Sequence, residues 1–198
     1  MLHLKLPLKS ESTQKKKGNG FEGHVGKILA ETLTPMKFRR SQSSGAILGG
    51  GNARFMEQFS DDAKALFIGD VVPTNESDVF RDEGWKFKFT LECKFYKFCD
   101  NLDHIFNNTK IKGWFEQAVT DAAKLGKEPL LIFKFNRTET FCAARLGVAL
   151  PGTINQIVTI GWQNPEGGLA GQSGRWIDIF LFKEALLDLE WWKVRNKC

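Results

Sequence analysis

From Trp85 to Phe98 apolar and polar positions alternate. Phe87, Phe89, Leu91, Cys93 and Phe95 stand between Lys86, Lys88, Thr90, Glu92, Lys94 and Tyr96. A period of two predicts a strand with one face in a core and the other polar and charged. Further on, Ile111, Trp114, Phe115, Ala118, Ala122 and Leu125 recur at helical spacing, and Gly126 ends the stripe, which predicts a helix. Leu130–Phe135 reads as a short apolar strand. Towards the start, Phe21, Val25, Ile28 and Leu29 predict a helix over 21–33, capped by Asn19 and stopped before Pro35. Lys37–Ile47 reads as a strand running into the turn Ser41-Gln42-Ser43-Ser44-Gly45. Gly49–Gly51 marks a loop, residues 52–66 a short helix, and Phe67–Val72 a strand stopped by Pro73. Cys142–Leu150, Ile157–Trp162 and Trp176–Phe182 read as further strands, 161–174 as a glycine-rich loop and Lys183–Trp192 as a terminal helix. On such a helix Trp191 and Trp192 do not share a face, which would place one of them at a contact between copies. Strands joined by a crossover helix imply an α/β (α+β) fold with a mixed sheet.

The chain has 198 residues, of which 42% are hydrophobic and 26% charged. These values suit one globular domain and exclude wholesale disorder. No apolar run approaches the roughly 18 residues that span a bilayer, so no membrane partner is expected. The first residues hold no continuous apolar stretch of the secretory kind, and an intracellular setting is expected. Cys93, Cys99, Cys142 and Cys198 form no Cys-x-x-Cys pair, and His3, His24 and His104 are scattered. Reduced thiols are expected rather than a disulfide framework or a structural zinc site. Charge is uneven. Most of the net +5 lies in Lys5, Lys9, Lys15, Lys16 and Lys17, opposed there by Glu11. Residues 1–18 read as a flexible basic arm. Such an arm suits nucleic acid, whose counterions lysines displace, and equally suits a solvated tail; charge alone does not choose.

Glu92 and Lys94 are two apart on the alternating strand and so leave the same face. Asp70 follows Gly69 at the end of a neighbouring predicted strand, and Glu22 lies in the first helix. If the strands pair, Asp70, Glu92 and Lys94 converge. Two carboxylates are hard oxygen ligands suited to Mg²⁺. A bound divalent ion activates water and steadies charge on a phosphoryl oxygen, and a lysine can orient the nucleophile or balance developing charge. The triplet alone is weak, since on the order of one acid-x-Lys arises by chance in a chain of this size. Asp62-Ala63-Lys64 is a decoy, because i and i+2 do not face each other on a helix.

Taken together, Phe21-Glu22-Gly23 opening a helix, Arg39-Arg40-Ser41 with Ser43, Ser44 and Gly45, then Gly69-Asp70 and Leu91-Glu92-Cys93-Lys94 resemble the PD-(D/E)xK nuclease superfamily. Within it the pattern is most similar to archaeal-type Holliday-junction resolvases and their viral relatives. Trp114-Phe115-Glu116-Gln117 and Pro129–Lys134 resemble the helix and strand that follow the motif. The resemblance covers about residues 19–136. It implies a restriction-endonuclease-like core over 19–136; it does not explain residues 137–198, which are expected to form a C-terminal β/α extension packed on the same domain. It also implies Mg²⁺-dependent hydrolysis of DNA phosphodiesters, with Mn²⁺ able to substitute, leaving a 5′-phosphate. Asp70 and Glu92 would be metal ligands with the Cys93 carbonyl, and Glu22 would complete the site, directly or through water. Lys94 would serve the attacking water and the scissile phosphate. Arg39, Arg40, Ser43 and Ser44 would contact the DNA backbone, and Gln117 would support the site. The substrate would be branched DNA cut by a homodimer, in the host cytoplasm if a virus encodes the chain. Gly69 stands where the family name has proline. The long stretch from Gly45 to Asp70 points to an insertion at 49–66.

Two other readings stay open: a site-specific or general duplex endonuclease of the same superfamily, and a non-catalytic nucleic-acid-binding protein on a nuclease fold. The plain alternative for Glu92 and Lys94 is a charge pair on a solvated strand face. The 161–174 loop holds no Gly-x-x-x-x-Gly-Lys-Ser/Thr, Gly147, Gly152 and Gly161 form no dinucleotide fingerprint, and no Gly-x-Ser-x-Gly elbow occurs, so no nucleotide cofactor and no serine hydrolase is expected.

Overall fold

The computed structural model describes residues 11–41, 61–75, 85–97, 109–162 and 175–195. A seven-stranded mixed sheet forms its centre. The chain enters through helix α1 (Glu11–Thr32), edge strand β1 (Phe38–Arg40), the short α2 (Asp61–Ala65) and β2 (Val71–Pro73). Next come β3 (Trp85–Phe87), β4 (Phe89–Tyr96), α3 (Thr109–Leu125) and β5 (Glu128–Phe135). The remainder is β6 (Thr140–Arg145), β7 (Val158–Trp162), β8 (Arg175–Leu181), α4 (Phe182–Ala185), a 3₁₀ turn over Leu189–Trp192 and β9 (Lys193–Arg195).

The sheet order is β1-β2-β4-β5-β6-β8-β7. Strands β4 and β5 run parallel, with Glu92 beside Leu131 and Lys94 beside Phe133, and α3 is the crossover that a parallel pair requires. The other neighbours in the sheet are antiparallel. This is the mixed sheet flanked by helices expected from the sequence. The C-terminal third is integral to it, because β6, β7 and β8 continue the sheet beyond β5.

Both faces of the sheet are covered. Phe21, Val25 and Leu29 of α1 pack with Leu91, Cys93, Leu130 and Ile132 on one side. Ile111 and Phe115 of α3 pack with Leu131, Phe133, Phe135, Ile177 and Ile179 on the other. Strand β5 is therefore apolar at every central position, as a strand buried on both faces must be.

Several sequence expectations are corrected. Helix α1 starts at Glu11 instead of near Asn19, so Lys15, Lys16 and Lys17 lie on a helix and not on a flexible arm, whose residues 1–10 lie outside the described residues. Gly18 and Gly20 did not break it, since a glycine costs a helix only about 1 kcal/mol. The strand expected over 85–98 is two strands parted at Lys88. The Lys88 amide donates to Trp192 O at 2.9 Å, and its carbonyl accepts from the Glu128 amide at 3.0 Å. Thus β3 pairs with β9 in a small second sheet while β4 joins the main one. The polar face of β4 is not solvated along its length: Thr90 and Glu92 are buried, because α3 lies over it.

The strand expected from Phe67 begins only at Val71, and the one expected to Leu150 ends at Arg145, where the chain turns at Gly147 with φ +94°. The terminal helix is a single turn, α4, followed by the 3₁₀ turn, with the Asp188 carboxylate accepting from the Trp191 amide at 3.2 Å. With no helix to set them on different faces, both tryptophans are buried. Trp191 lies 4.4 Å from the Phe89 ring, and Trp192 stacks on Phe87 at 6.0 Å and donates from Nε1 to Ala185 O at 3.0 Å. The case for a tryptophan at a contact between copies falls away. Of the expected insertion, 61–65 is α2; its remainder, the end of the first strand, Ser43 and Ser44 lie outside the described residues. Cys93 and Cys142 are free, buried thiols, as expected of reduced cysteines.

Trp192→Ala should therefore destabilise the protein by about 3–5 kcal/mol, the usual cost of emptying a large aromatic site, as read by urea unfolding.

Candidate active site

The site forms where β2 meets β4. Residues 67–70 turn sharply into β2. The Phe67 amide donates to Lys64 O at 2.9 Å, and Gly69 adopts φ +93°. A Cβ at Gly69 would stand 2.9 Å from Leu91 O. Only glycine suits both the dihedral and the approach, and proline, fixed near −65°, is excluded here. The turn delivers Asp70 to β4. Its amide donates to Leu91 O and its carbonyl accepts from the Ser41 amide, both at 2.8 Å. Its carboxylate Oδ2 accepts from the Cys93 amide at 2.8 Å. Asp70 is thus bound to the peptide that joins Glu92 to Cys93.

On β4, Glu92 and Lys94 project towards α3 and form an ion pair. Glu92 is 1% exposed and Asp70 3%. Burial and, next, the Asp70 charge push the Glu92 carboxyl up to about 8, against the pull of Lys94, and Asp121 of α3 adds to the rise. Burial works against the Lys94 charge, but Glu92 and Asp70 outweigh it and hold the ammonium above its usual range.

Glu22 reaches the site from α1. Burial and Asp70 raise its carboxyl, while Arg40 and Lys94 draw it back. The Arg40 guanidinium donates from Nε to Glu22 Oε2 at 2.7 Å. The structure therefore brings Glu22, Asp70, Glu92 and Lys94 into one electrostatic neighbourhood and ties Arg40 to Glu22. Arg39 is exposed on β1, Lys17 is exposed on α1, and Gln117 is exposed on α3. Lys15 and Lys16 are placed on α1 by their backbone alone. Asp121, one turn beyond Gln117 and bridged to Lys124 at 2.6 Å, was not singled out from sequence. Its only signal was the four-residue spacing from Gln117, which puts both on one side of the helix.

Among the described residues no three Asp, Glu, His or Cys side chains close on one point as a metal cage would. The donor set nonetheless fits a Mg²⁺-like ion, which takes one or two carboxylates and keeps several waters. Asp70 and Glu92 are buried hard-oxygen donors that repel each other, and a divalent cation would relieve that repulsion.

A mixed sheet between helices, with an acid from one strand beside Glu-x-Lys on the next, defines the class: a restriction-endonuclease-like fold of the PD-(D/E)xK type. The model of the family described as "Phage putative PDDEXK endonuclease" matches residues 13–163, well over half of the chain, and the chain belongs to that family. The match runs through β6 and β7, past residue 136 where the resemblance read from motifs ended. No curated protein and no solved structure matches the chain. Among the described residues no helix is long and apolar enough to cross a membrane.

Two outcomes are expected. Gly69→Ala should cost about 1–3 kcal/mol of stability, the usual range for a strained backbone, measured by denaturant unfolding. The second concerns pH. Glu92 titrates near 8 in the fold and near 4.5 ordinarily, so the folded chain holds a proton that the unfolded chain releases. Its stabilising contribution is complete below the lower value and lost as pH rises through the upper. In EDTA the unfolding midpoint should fall between about pH 5 and pH 8.5, and Glu92→Gln should remove most of that slope.

Proposed function

We propose that the chain is a metal-dependent endonuclease that hydrolyses DNA phosphodiesters, selective for branched DNA and acting as a homodimer inside the cell, the host cytoplasm where a phage encodes it. The observation that carries this reading is the Asp70 carboxylate bound to the Cys93 amide beside the Glu92–Lys94 pair, in a chain of an endonuclease family. Asp70, Glu92 and the Cys93 carbonyl would hold Mg²⁺ or Mn²⁺, with Glu22 directly or through water. When bound, that ion supplies activation of water and charge stabilisation on the phosphate.

The chain's own groups divide the remaining work. Lys94, kept charged by Glu92 and Asp70, orients the attacking water and balances charge on the scissile phosphate. Glu92 holds that ammonium in place. Arg40, through Glu22, fixes the α1 carboxylate. Arg39, Arg40 and Lys17, with Lys15, Lys16, Ser43 and Ser44, contact phosphates along the duplex, and Gln117 supports the helix side. Two such sites related by a two-fold axis suit paired, symmetric nicks.

Lys94→Ala should lower cleavage by about 10²–10³-fold or more, the usual cost of one preorganised charge-stabilising group, while DNA binding persists. Retained cutting would sink the assignment. A labelled four-way junction should be nicked symmetrically in Mg²⁺ and left intact in EDTA. Equal cutting of matching linear duplex would keep the chemistry and remove the junction selectivity. Tight binding without cutting in any metal would make the protein a binding module.

A further inference from the structure

Beyond Lys94 the open face of β4 continues to Tyr96. Glu92, Lys94 and Tyr96 leave the same side of the strand, and Tyr96 lies about 7 Å past Lys94 at the rise of an extended chain. Helix α3 runs back along this face, so its first turn stands beside Tyr96 and its later residue Asp121 beside Glu92. The Lys110 ammonium donates to the Tyr96 hydroxyl at 2.5 Å and sits 3.9 Å from the centre of the ring. Trp114 holds the ring from its own helix at 6.0 Å. Trp114 is itself seated on Phe133 and Phe135 at 6.5 and 6.3 Å, in the core. The hydroxyl is therefore fixed by packing, while Lys110 is exposed and Tyr96 half-buried.

We infer that the Tyr96 hydroxyl and the Lys110 ammonium form a phosphate-binding pair that anchors the nucleic-acid strand next to the scissile bond. The inference rests on the nuclease reading and deepens it. An ammonium carries only donors, and a phenol accepting from it still has its own O–H to donate. Together they present a cation and a polarised donor, the combination that a phosphodiester oxygen takes up. The first turn of α3 also carries Lys112 and no acid, which adds positive charge beside the pair. A pair placed one strand repeat beyond Lys94 meets backbone and not bases. It should hold the strand in register without reading sequence.

The test uses the full chain and a labelled duplex in Ca²⁺ or EDTA, where binding is read without cutting. Lys110→Gln should weaken binding alike across sequences and flatten the dependence of log K on log salt by about one unit. Lys110→Arg should restore both. Tyr96→Phe, which keeps the ring and its packing, should weaken binding several-fold with the salt slope unchanged. Lys27→Gln, the same charge loss on α1, should change neither. Full binding and an unaltered slope in Lys110→Gln would overturn the inference, and so would an equal effect of Lys27→Gln. If Lys94→Ala abolishes cutting while Lys110→Gln behaves like the parent, the pair fails and the nuclease stands. If the parent binds no DNA, both fail.

Discussion

The hydrogen bond from the Cys93 amide to the Asp70 carboxylate is the constraint on which the site depends. It joins two segments that β2 and β4 hold together at only one register pair, Val71 with Leu91. It can form because Gly69 lets the chain turn within 2.9 Å of the β4 backbone. Once it forms, a buried carboxylate lies beside Glu92, and its charge adds to the effect of burial on the cluster. Burial first and the Asp70 charge second raise the Glu92 and Glu22 carboxyls, Glu92 and Asp70 together keep Lys94 charged, and Arg40 holds Glu22 from the other side. Such a cluster costs stability in a fold that could have been built from apolar residues. Its presence on β4, a strand inside the sheet, is the physical sign that the strand serves more than packing.

The sheet is arranged to support this. Parallel pairing with β5 presses β4 against a strand that is apolar on both sides, and α1 and α3 close the two faces. The buried charges Glu22, Asp70 and Glu92 gather at the corner where β1, β2 and β4 meet, apart from Asp178 of β8 on the other side of the sheet order. A compact dry interior adjoining a short run of ionisable groups strengthens each electrostatic contact there, which is the condition under which a single lysine or carboxylate can matter to a phosphate.

Much of this was legible in the sequence, for identifiable reasons. The period-two run through β4 and the helical stripe of α3 are long and strongly patterned, so element type and order could be read from them. Asp70, Glu92, Lys94 and Glu22 could be picked out because their residue types and spacing carry chemistry. What could not be read depended on partners distant in the chain. Lys88 looks like one more polar position in a strand, and only its bonds to Trp192 and Glu128 divide β3 from β4. Thr90 and Glu92 look solvated until α3 covers them. The glycines at 18 and 20 look like a break, yet a helix passes through. Trp191 and Trp192 conflict on a helix and are reconciled by a 3₁₀ turn. Arg40 reads in the sequence as a phosphate contact, and only the structure adds its bond to Glu22.

The small sheet of β3 and β9 has a bearing on inheritance. Trp192 and the strand after it grip the segment through which the chain enters β4, so the foot of the motif-bearing strand is held by residues about a hundred positions downstream. A frameshift or stop near position 189 would spare every residue of the site and still loosen the strand that presents it. Substitutions at Trp192 and in β9 therefore bear on the site almost as directly as substitutions in the strand that carries it.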